Sequence, residues 1–205
     1  MNKNYKLNKS PLLLISKRLF DIIISLIGLI ISVPIVLIII LVIFSQDCGA
    51  PFFTQERIGY RGKPFTLYKF RTMCVSAEVN RSPVLCKDND ARLTKVGSFL
   101  RTYHLDEIPQ LWNVLKGDMS LVGYRPERAF FIEKIMKINP KYSYLYQLRP
   151  GIFSKATLYN GYTDTMNKML IRLRMDLEYI QEMSFWFDFK IMFLTLFYIL
   201  SGKKI

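Results

Sequence analysis

The stretch Arg101-Thr-Tyr-His-Leu-Asp-Glu-Ile-Pro-Gln-Leu-Trp-Asn-Val-Leu-Lys-Gly-Asp-Met-Ser-Leu-Val-Gly-Tyr-Arg-Pro-Glu127 decides how this chain is read. Two adjacent carboxylates, Asp106 and Glu107, stand at what reads as the start of a helix. Pro109 is acceptable only in a first turn, which places that start near Asp106. Ile108, Leu111, Trp112 and Leu115 recur at three- and four-residue spacing, an apolar stripe facing a core. Basic residues flank the unit at Arg101, Lys116 and Arg125, and a Gly123-Tyr-Arg-Pro126 turn closes it. Two readings fit. Asp is a favoured N-cap, and an ordinary capped helix needs nothing more. Carboxylates among cations also suit phosphate chemistry with a divalent metal, and helix N-termini welcome anionic phosphate. Successive helical residues point about 100° apart, so Asp106 and Glu107 cannot share one job by pointing the same way. If both are functional, one acts on substrate and the other through a metal.

With 205 residues the chain has room for one domain of ordinary size and an appendage. A formal net charge of +13 favours an anionic partner: nucleic acid, anionic lipid or a phosphorylated substrate. Hydrophobic residues make up 51% and aromatics 14%, which excludes a disordered basic tail. No recognition helix or zinc module is present, so nucleic acid is not an expected partner. Cys48, Cys74 and Cys86 are scattered and lack CxxC or zinc spacing, which points to a reducing compartment rather than a disulfide frame. His104 is the only histidine, which excludes metal sites built on several; it reads as a local packing residue.

Upstream, residues 1–18 are polar and basic, with Lys3, Lys6, Lys9, Lys17 and Arg18. From Ile22 to Phe44 nothing is charged; as a straight helix this run reaches about 34 Å, enough to cross a bilayer. It is too long for a signal peptide. Pro34 near its middle removes an amide donor and clashes with the carbonyl of Ile30, and Gly28 and Ser32 precede it where a kink can be absorbed. Both flanks are basic, Lys17 and Arg18 before and Arg57, Arg61, Lys63, Lys69 and Arg71 after, and positive charge stays on the cytoplasmic side. A helix that enters, bends at Pro34 and leaves by the same face satisfies both facts. A single span with a tolerated proline is the alternative.

Residues 51–73 read as two short strands around a turn bracketed by Gly59 and Gly62. Lys69 and Arg71 share one strand face, where they either meet phosphate or merely solvate the hairpin. Residues 76–92 are polar and turn-rich, and Leu93 to Tyr103 reads as a short helix with Val96, Phe99 and Leu100 on one side. After Arg125-Pro126 a helix opens at Pro126 or Glu127, with Phe130, Phe131, Ile135 and Ile138 inside, and stops at Asn139-Pro140. Leu148-Arg-Pro-Gly-Ile152 reads as a turn presenting Arg149, and residues 164–183 as a charged helix. The last apolar run starts at Ser184, a cap, and carries Asp188 and Lys190; it lies in the membrane interface or packs on the domain.

The order of segments resembles the bacterial sugar transferases of the monotopic phosphoglycosyl transferase family. The resemblance covers roughly residues 14–200. It rests on Lys17-Arg-Leu-Phe-Asp21, the proline-broken apolar segment, Gln55-Glu-Arg-Ile-Gly59 and Lys69-Phe-Arg-Thr-Met73. Leu105-Asp-Glu107, Asn113-Val-Leu-Lys-Gly-Asp-Met-Ser120, Gly123-Tyr-Arg-Pro126 and Arg149-Pro-Gly-Ile152 complete it. Each motif alone is weak; their conjunction in this order is specific. Larger relatives carry extra N-terminal membrane helices, and this chain looks like the minimal catalytic form.

The resemblance implies transfer of a sugar 1-phosphate from a UDP-sugar to polyprenyl (undecaprenyl) phosphate, starting a surface glycan such as a capsule or O-antigen. It implies Asp106 as nucleophile, forming an aspartyl phosphosugar, and Glu107 as a ligand of Mg²⁺. It implies phosphate-binding roles for Arg101, Arg125 and Arg149, with Lys69 and Arg71 as further candidates, and a membrane kink at Ser32 and Pro34. The expected fold is α+β and mostly helical: a re-entrant membrane helix plus a small cytosolic domain with a β-hairpin and interfacial amphipathic helices. The expected segments are a basic start (1–18), the membrane helix (19–46) and the catalytic domain (47–205). The expected location is the bacterial inner membrane, facing the cytoplasm and contacting its lipids, with a homodimer left open. A catalytically silent scaffold binding anionic lipid or partners is the alternative. The chain departs from the family pattern at Tyr124, where proline is common, at Val33 before Pro34, where serine is common, and at Phe153-Ser-Lys-Ala156. Sugar specificity is therefore not carried over.

Overall fold

In the computed structural model, which describes residues 5–47, 49–74, 90–161 and 163–201, the first element is one long helix. α1 (Pro11–Asp47) continues through Pro34, and two residues earlier the Ser32 hydroxyl donates to the Leu29 carbonyl at 3.0 Å. It is long and apolar enough to cross a membrane. Ile30, Ile31, Leu37, Ile38 and Leu41 stand exposed on one side. Asp21, Ser25, Ser32, Ile39 and Ile43 are buried on the other. Their spacing traces one stripe of a helix, so α1 packs on the rest of the chain along most of its length.

The first turns of α1 are fastened by polar groups. Lys17 Nζ donates to Asp188 Oδ2 at 2.5 Å, and Arg18 donates to the carbonyls of Val114 and Leu115 at 2.7 and 3.1 Å. Asp21 accepts from Ser120 Oγ at 2.7 Å and from the Leu121 amide at 3.2 Å, all three groups buried. The Lys17-to-Asp21 motif is therefore a docking device between a membrane-type helix and the domain.

The hairpin forms as its sequence predicts. β1 (Phe52–Ile58) pairs antiparallel with β2 (Pro64–Phe70), Phe53 opposite Lys69, around a single 3-10 turn at Tyr60–Gly62. The turn-rich segment 76–92 lies largely outside the described residues, as do Cys48 and Cys86. α2 (Lys95–Thr102) starts later than its apolar pattern suggests, because the Thr94 hydroxyl accepts from the Gly97 amide at 2.8 Å and fixes the N-cap. Gly97 also permits a close approach: a Cβ there would lie 1.8 Å from the Thr72 carbonyl oxygen. Ile39 and Ile43 of α1 meet Phe70 and Leu100 in a small core of their own, joined by Leu105 and Ile108.

α3 (Gln110–Lys116) leads to β3 (Ser120–Val122), which pairs in parallel with β4 (Gly151–Phe153). The backbones meet closely here, since a Cβ on Gly151 would lie 2.1 Å from the Gly123 nitrogen. This pair was not foreseen, for the Arg149-to-Ile152 segment reads as a plain turn. α4 (Ala129–Ile138) buries Phe131, Ile132 and Ile135, while Phe130 and Ile138 face out, contrary to the apolar-face assignment. The helix begins two residues later than Glu127, and its buried face is the i, i+1, i+4 set of Phe131, Ile132 and Ile135. α5 (Lys155–Asn160), α6 (Met166–Glu182) and α7 (Phe185–Leu200) complete the chain, capped by Ser154, Thr165 and Ser184. The main core gathers Val114, Met119, Leu121, Val122, Ile135, Leu145, Leu173, Leu177 and Ile180 around β3. α7 buries Asp188, Ile191 and Thr195 and exposes Trp186, Phe189, Phe193 and Phe197.

Replacing Asp21 with Ala strands the buried Leu121 amide and leaves the Ser120 hydroxyl only the Val122 carbonyl, 3.0 Å away, and the expected destabilisation is about 2 kcal/mol. Denaturant unfolding of the detergent-solubilised chain measures it. An unchanged midpoint would show that Asp21 does not fasten α1 to β3.

Candidate active site

Three short features bring the acidic pair into place. The chain leaves α2 through His104, whose left-handed backbone (φ 52, ψ 21) turns it sharply. A 3-10 turn at Leu105–Glu107 follows, closed by the Glu107 amide on the His104 carbonyl at 3.2 Å. Ile108 and Pro109 then continue in right-handed geometry into α3. Asp106 therefore sits inside the 3-10 turn and is not the cap of α3, as its sequence position suggested. Its carboxylate is spared for other contacts.

Both carboxylates are buried, Asp106 at 5% and Glu107 at 7% exposure, and one cation serves them both. Lys69 Nζ from β2 donates to Glu107 Oε1 at 2.6 Å and stands 3.5 Å from Asp106 Oδ2. Arg125 Nη2, from the turn after β3, reaches the same Glu107 oxygen at 3.3 Å. His104 Nδ1 lies 4.0 Å from Glu107 Oε2. Arg101 Nε donates to the hydroxyl of buried Thr72 at 2.9 Å, which sets its charge beside Asp106.

The two acids are driven apart in acidity. Burial pushes the Asp106 carboxyl up, and the neighbouring Glu107 charge adds to the rise; Lys69, Arg101 and His104 offset only part of it. Burial would raise Glu107 as well, but Lys69, Arg125 and His104 outweigh it and hold this carboxyl well below its ordinary value. The reason lies in the geometry: Glu107 holds the short contact to Lys69 and a second cation besides. Paired acids split in this way are a mark of functional sites.

Behind Arg125 stands a buried ionic cluster. Glu127 accepts from Arg57 Nη1 at 3.1 Å and from Arg172, and Arg57 also donates to the Pro126 carbonyl at 3.1 Å. Asp176 of α6 accepts the backbone amide of Arg125; burial first of all raises its carboxyl to about 7. The turn that carries Arg125 is thus clamped from β1 and α6 at once.

Of the residues singled out in the sequence, Asp106, Glu107, Lys69, Arg101 and Arg125 come together. Arg71 lies just past the end of β2, its amide donating to the Pro51 carbonyl at 2.8 Å. Arg149 goes elsewhere: its Nε donates to the Gly117 carbonyl at 2.9 Å, and its guanidinium stacks 5.0 Å from the Tyr60 ring centre. Gly117 ends α3 whereas Asp106 precedes it, so Arg149 stands at the far end of that helix from the acids. Ser32 and Pro34 belong to α1. The sequence reading passed over Thr72, the Arg57–Glu127–Arg172 cluster and the approach of His104 to Glu107. Arg57 and Glu127 were quoted within their motifs without a role, although complementary charges in two such motifs are a signal for pairing.

Asp106 and Glu107 also offer oxygen donors for a hard divalent ion. Among the described residues no group of three or more His, Cys, Asp or Glu side chains lies close enough to hold a metal alone. That fits Mg²⁺, which commonly takes one or two carboxylates and completes its shell with water and substrate phosphates.

Comparison with known proteins gives the family. Residues 12–202 match the family model described as bacterial sugar transferase. The chain is 37% identical over 193 residues to a UDP-N-acetylgalactosamine-undecaprenyl-phosphate N-acetylgalactosaminephosphotransferase of Aeromonas hydrophila, covering 94% of this chain and 45% of that protein. It is 42% identical over 183 residues to the UDP-glucose:undecaprenyl-phosphate glucose-1-phosphate transferase of Escherichia coli (strain K12), covering 88% of this chain and 39% of that one. A putative undecaprenyl-phosphate N-acetylgalactosaminyl 1-phosphate transferase of Bacillus subtilis (strain 168) is 45% identical over 127 residues, covering 62% of this chain and 70% of its own length. The chain thus spans less than half the length of the first two relatives.

The site's electrostatics can be read directly by carboxyl NMR of the labelled chain. Asp106 is expected to titrate above the ordinary aspartate range and Glu107 well below the ordinary glutamate range. Because the Lys69 cation lowers the Asp106 value, Lys69→Met moves the Asp106 titration further up. A downward or absent shift contradicts the shared-cation geometry.

Proposed function

Because the chain belongs to the bacterial sugar transferase family, we propose that it transfers a sugar 1-phosphate from a UDP-sugar to polyprenyl phosphate, an early step of surface-glycan assembly. The observation that carries this reading is the position of the acidic pair. Leu105 and Ile108, on either side of it, pack with Ile39 and Ile43 of the membrane-type helix α1. A reactive carboxylate held this close to an apolar helix suits an exchange between a soluble diphosphate and a lipid phosphate.

The proposed reaction is two displacements at one phosphorus. An Asp106 carboxylate oxygen attacks the phosphorus that bears the sugar; an aspartyl–phosphate bond forms, the diphosphate P–O bond breaks, and UMP leaves. A polyprenyl phosphate oxygen then attacks the same phosphorus, the aspartyl bond breaks, and Asp106 returns as carboxylate. Such a nucleophile must be ionised, and Lys69 and Arg101 favour that form against burial. Glu107, kept ionised by Lys69 and Arg125, is the residue that would hold Mg²⁺. Bound there, the ion supplies charge neutralisation on the diphosphate. Arg125 and Arg101 stand near enough to the acids to bind donor phosphate.

For the membrane disposition we read α1 as re-entrant. Its buried stripe runs from Asp21 to Ile43, about 33 Å of helix, against the domain. A helix held along that length does not stand away from the domain as a perpendicular span does. The exposed aromatics of α7, Trp186, Phe189 and Phe193, support an interfacial position for that helix, and the basic flanks of the apolar run support the cytoplasmic side.

Purified chain given a panel of UDP-sugars should release UMP beyond one equivalent per chain only when Mg²⁺ and polyprenyl phosphate are both present. Asp106→Asn should lower turnover by at least about 10³-fold. Glu107→Gln should lose most activity with the fold retained and weaken the Mg²⁺ dependence. Full activity in Asp106→Asn sinks the nucleophile assignment, and an unchanged Mg²⁺ requirement in Glu107→Gln counts against its role as ligand.

A further inference from the structure

One buried polar side chain three residues after Glu107 carries a donor with no partner among the described residues. Gln110 opens α3 and is only 3% exposed, and its Nε2 is buried with no hydrogen-bond partner among the described residues. Asn113, on the same helix and wholly buried, shows what a structural carboxamide does there. Its Nδ2 donates to the Thr66 carbonyl at 2.7 Å and to Asp118 Oδ2 at 3.3 Å, and its Oδ1 accepts from the Tyr68 amide at 3.1 Å. Asn113 ties α3 to β2 with every group it has. The Gln110 amine ties nothing, and a buried donor without an acceptor destabilises the fold that contains it.

Position gives the unused donor a use. Gln110 lies three and four residues after Glu107 and Asp106 along right-handed backbone, the spacing at which side chains share a helix face. Of the cations near the acids, Lys69 and Arg125 both contact Glu107 Oε1, and Arg101 is held by the Thr72 hydroxyl beside Asp106. A phosphoryl group brought to Asp106 presents anionic oxygens that need further donors. A neutral amide can supply one without adding a charge that would compete with Lys69 for the acids.

We infer that the Gln110 carboxamide is a substrate-binding group of this site, donating through Nε2 to a non-bridging oxygen of the phosphoryl group that reacts at Asp106. The inference rests on the reaction proposed above. It also explains why a destabilising buried amine is kept where an apolar residue of the same size would fit: the amide is paired only when substrate is bound.

The test compares Gln110→Met, of similar volume and without a donor, with Gln110→Glu, of similar shape and anionic. Each is made in the full chain, and thermal unfolding is measured beside kcat/KM for UMP release. Gln110→Met should melt at or above the wild-type temperature while kcat/KM falls at least about tenfold, and Gln110→Glu should lose at least about 100-fold. Either folded variant keeping kcat/KM within about twofold of wild type overturns the inference. So does a loss of melting temperature in both variants that accounts for the lost activity, since a structural carboxamide behaves that way. If wild-type chain turns over no UDP-sugar while remaining folded, the proposed reaction itself fails, and the inference falls with it.

Discussion

One ammonium group between two buried carboxylates sets the character of this molecule. Lys69 lies 2.6 Å from Glu107 and 3.5 Å from Asp106, and neither acid is open to bulk water. Burying two like charges on adjacent residues is costly unless a cation is shared or one of them takes a proton. Here both responses are present in part. Glu107 takes the shorter contact and stays acidic, and Asp106 is left with the weaker share and a raised pKa. Neighbouring acids in one turn thereby acquire different properties, which suits a division of labour between nucleophile and ligand.

Everything around the pair serves to hold Lys69, the 3-10 turn and Arg125 in register. Asn113 locks α3 to the strand that bears Lys69. The parallel β3–β4 pair fixes the start of the turn bearing Arg125, and Arg57, Glu127, Arg172 and Asp176 fix its far side. Asp21 extends this frame into α1 by accepting from Ser120 and Leu121 of β3. The membrane-type helix and the Arg125 turn are therefore attached to the same three-residue strand. A displacement of α1 has a short covalent and hydrogen-bonded route to the site.

Much of this was legible in the residues, and the gaps have physical causes. The Ile22–Phe44 run, the alternating aromatics of the hairpin and the Ser184 cap are local signals, and local signals were enough for α1, β1, β2 and α7. The β3–β4 pair is not local: each strand has three residues, and their partnership rests on close backbone contact at Gly123 and Gly151 across a long separation. The same long-range pairing directs the Arg149 segment to the end of α3 instead of to the acids. Asp106 looked like a cap because it stands three residues before Pro109, which belongs in a first turn. What moved it was His104, whose positive φ inserted a 3-10 turn before the helix. Charge complementarity between Arg57 and Glu127 was present in two quoted motifs, yet only the fold makes them neighbours.

The claim that all of this supports is that Asp106 becomes covalently loaded. Incubating purified chain with UDP-sugar and Mg²⁺ in the absence of polyprenyl phosphate, then measuring intact mass and mapping peptides, tests it most directly. The expected result is a mass gain of one sugar phosphate on the peptide containing Asp106, discharged on addition of polyprenyl phosphate and missing in Asp106→Asn. Steady turnover in the complete assay with no adduct under the trapping conditions, or an adduct on another residue, would contradict the account.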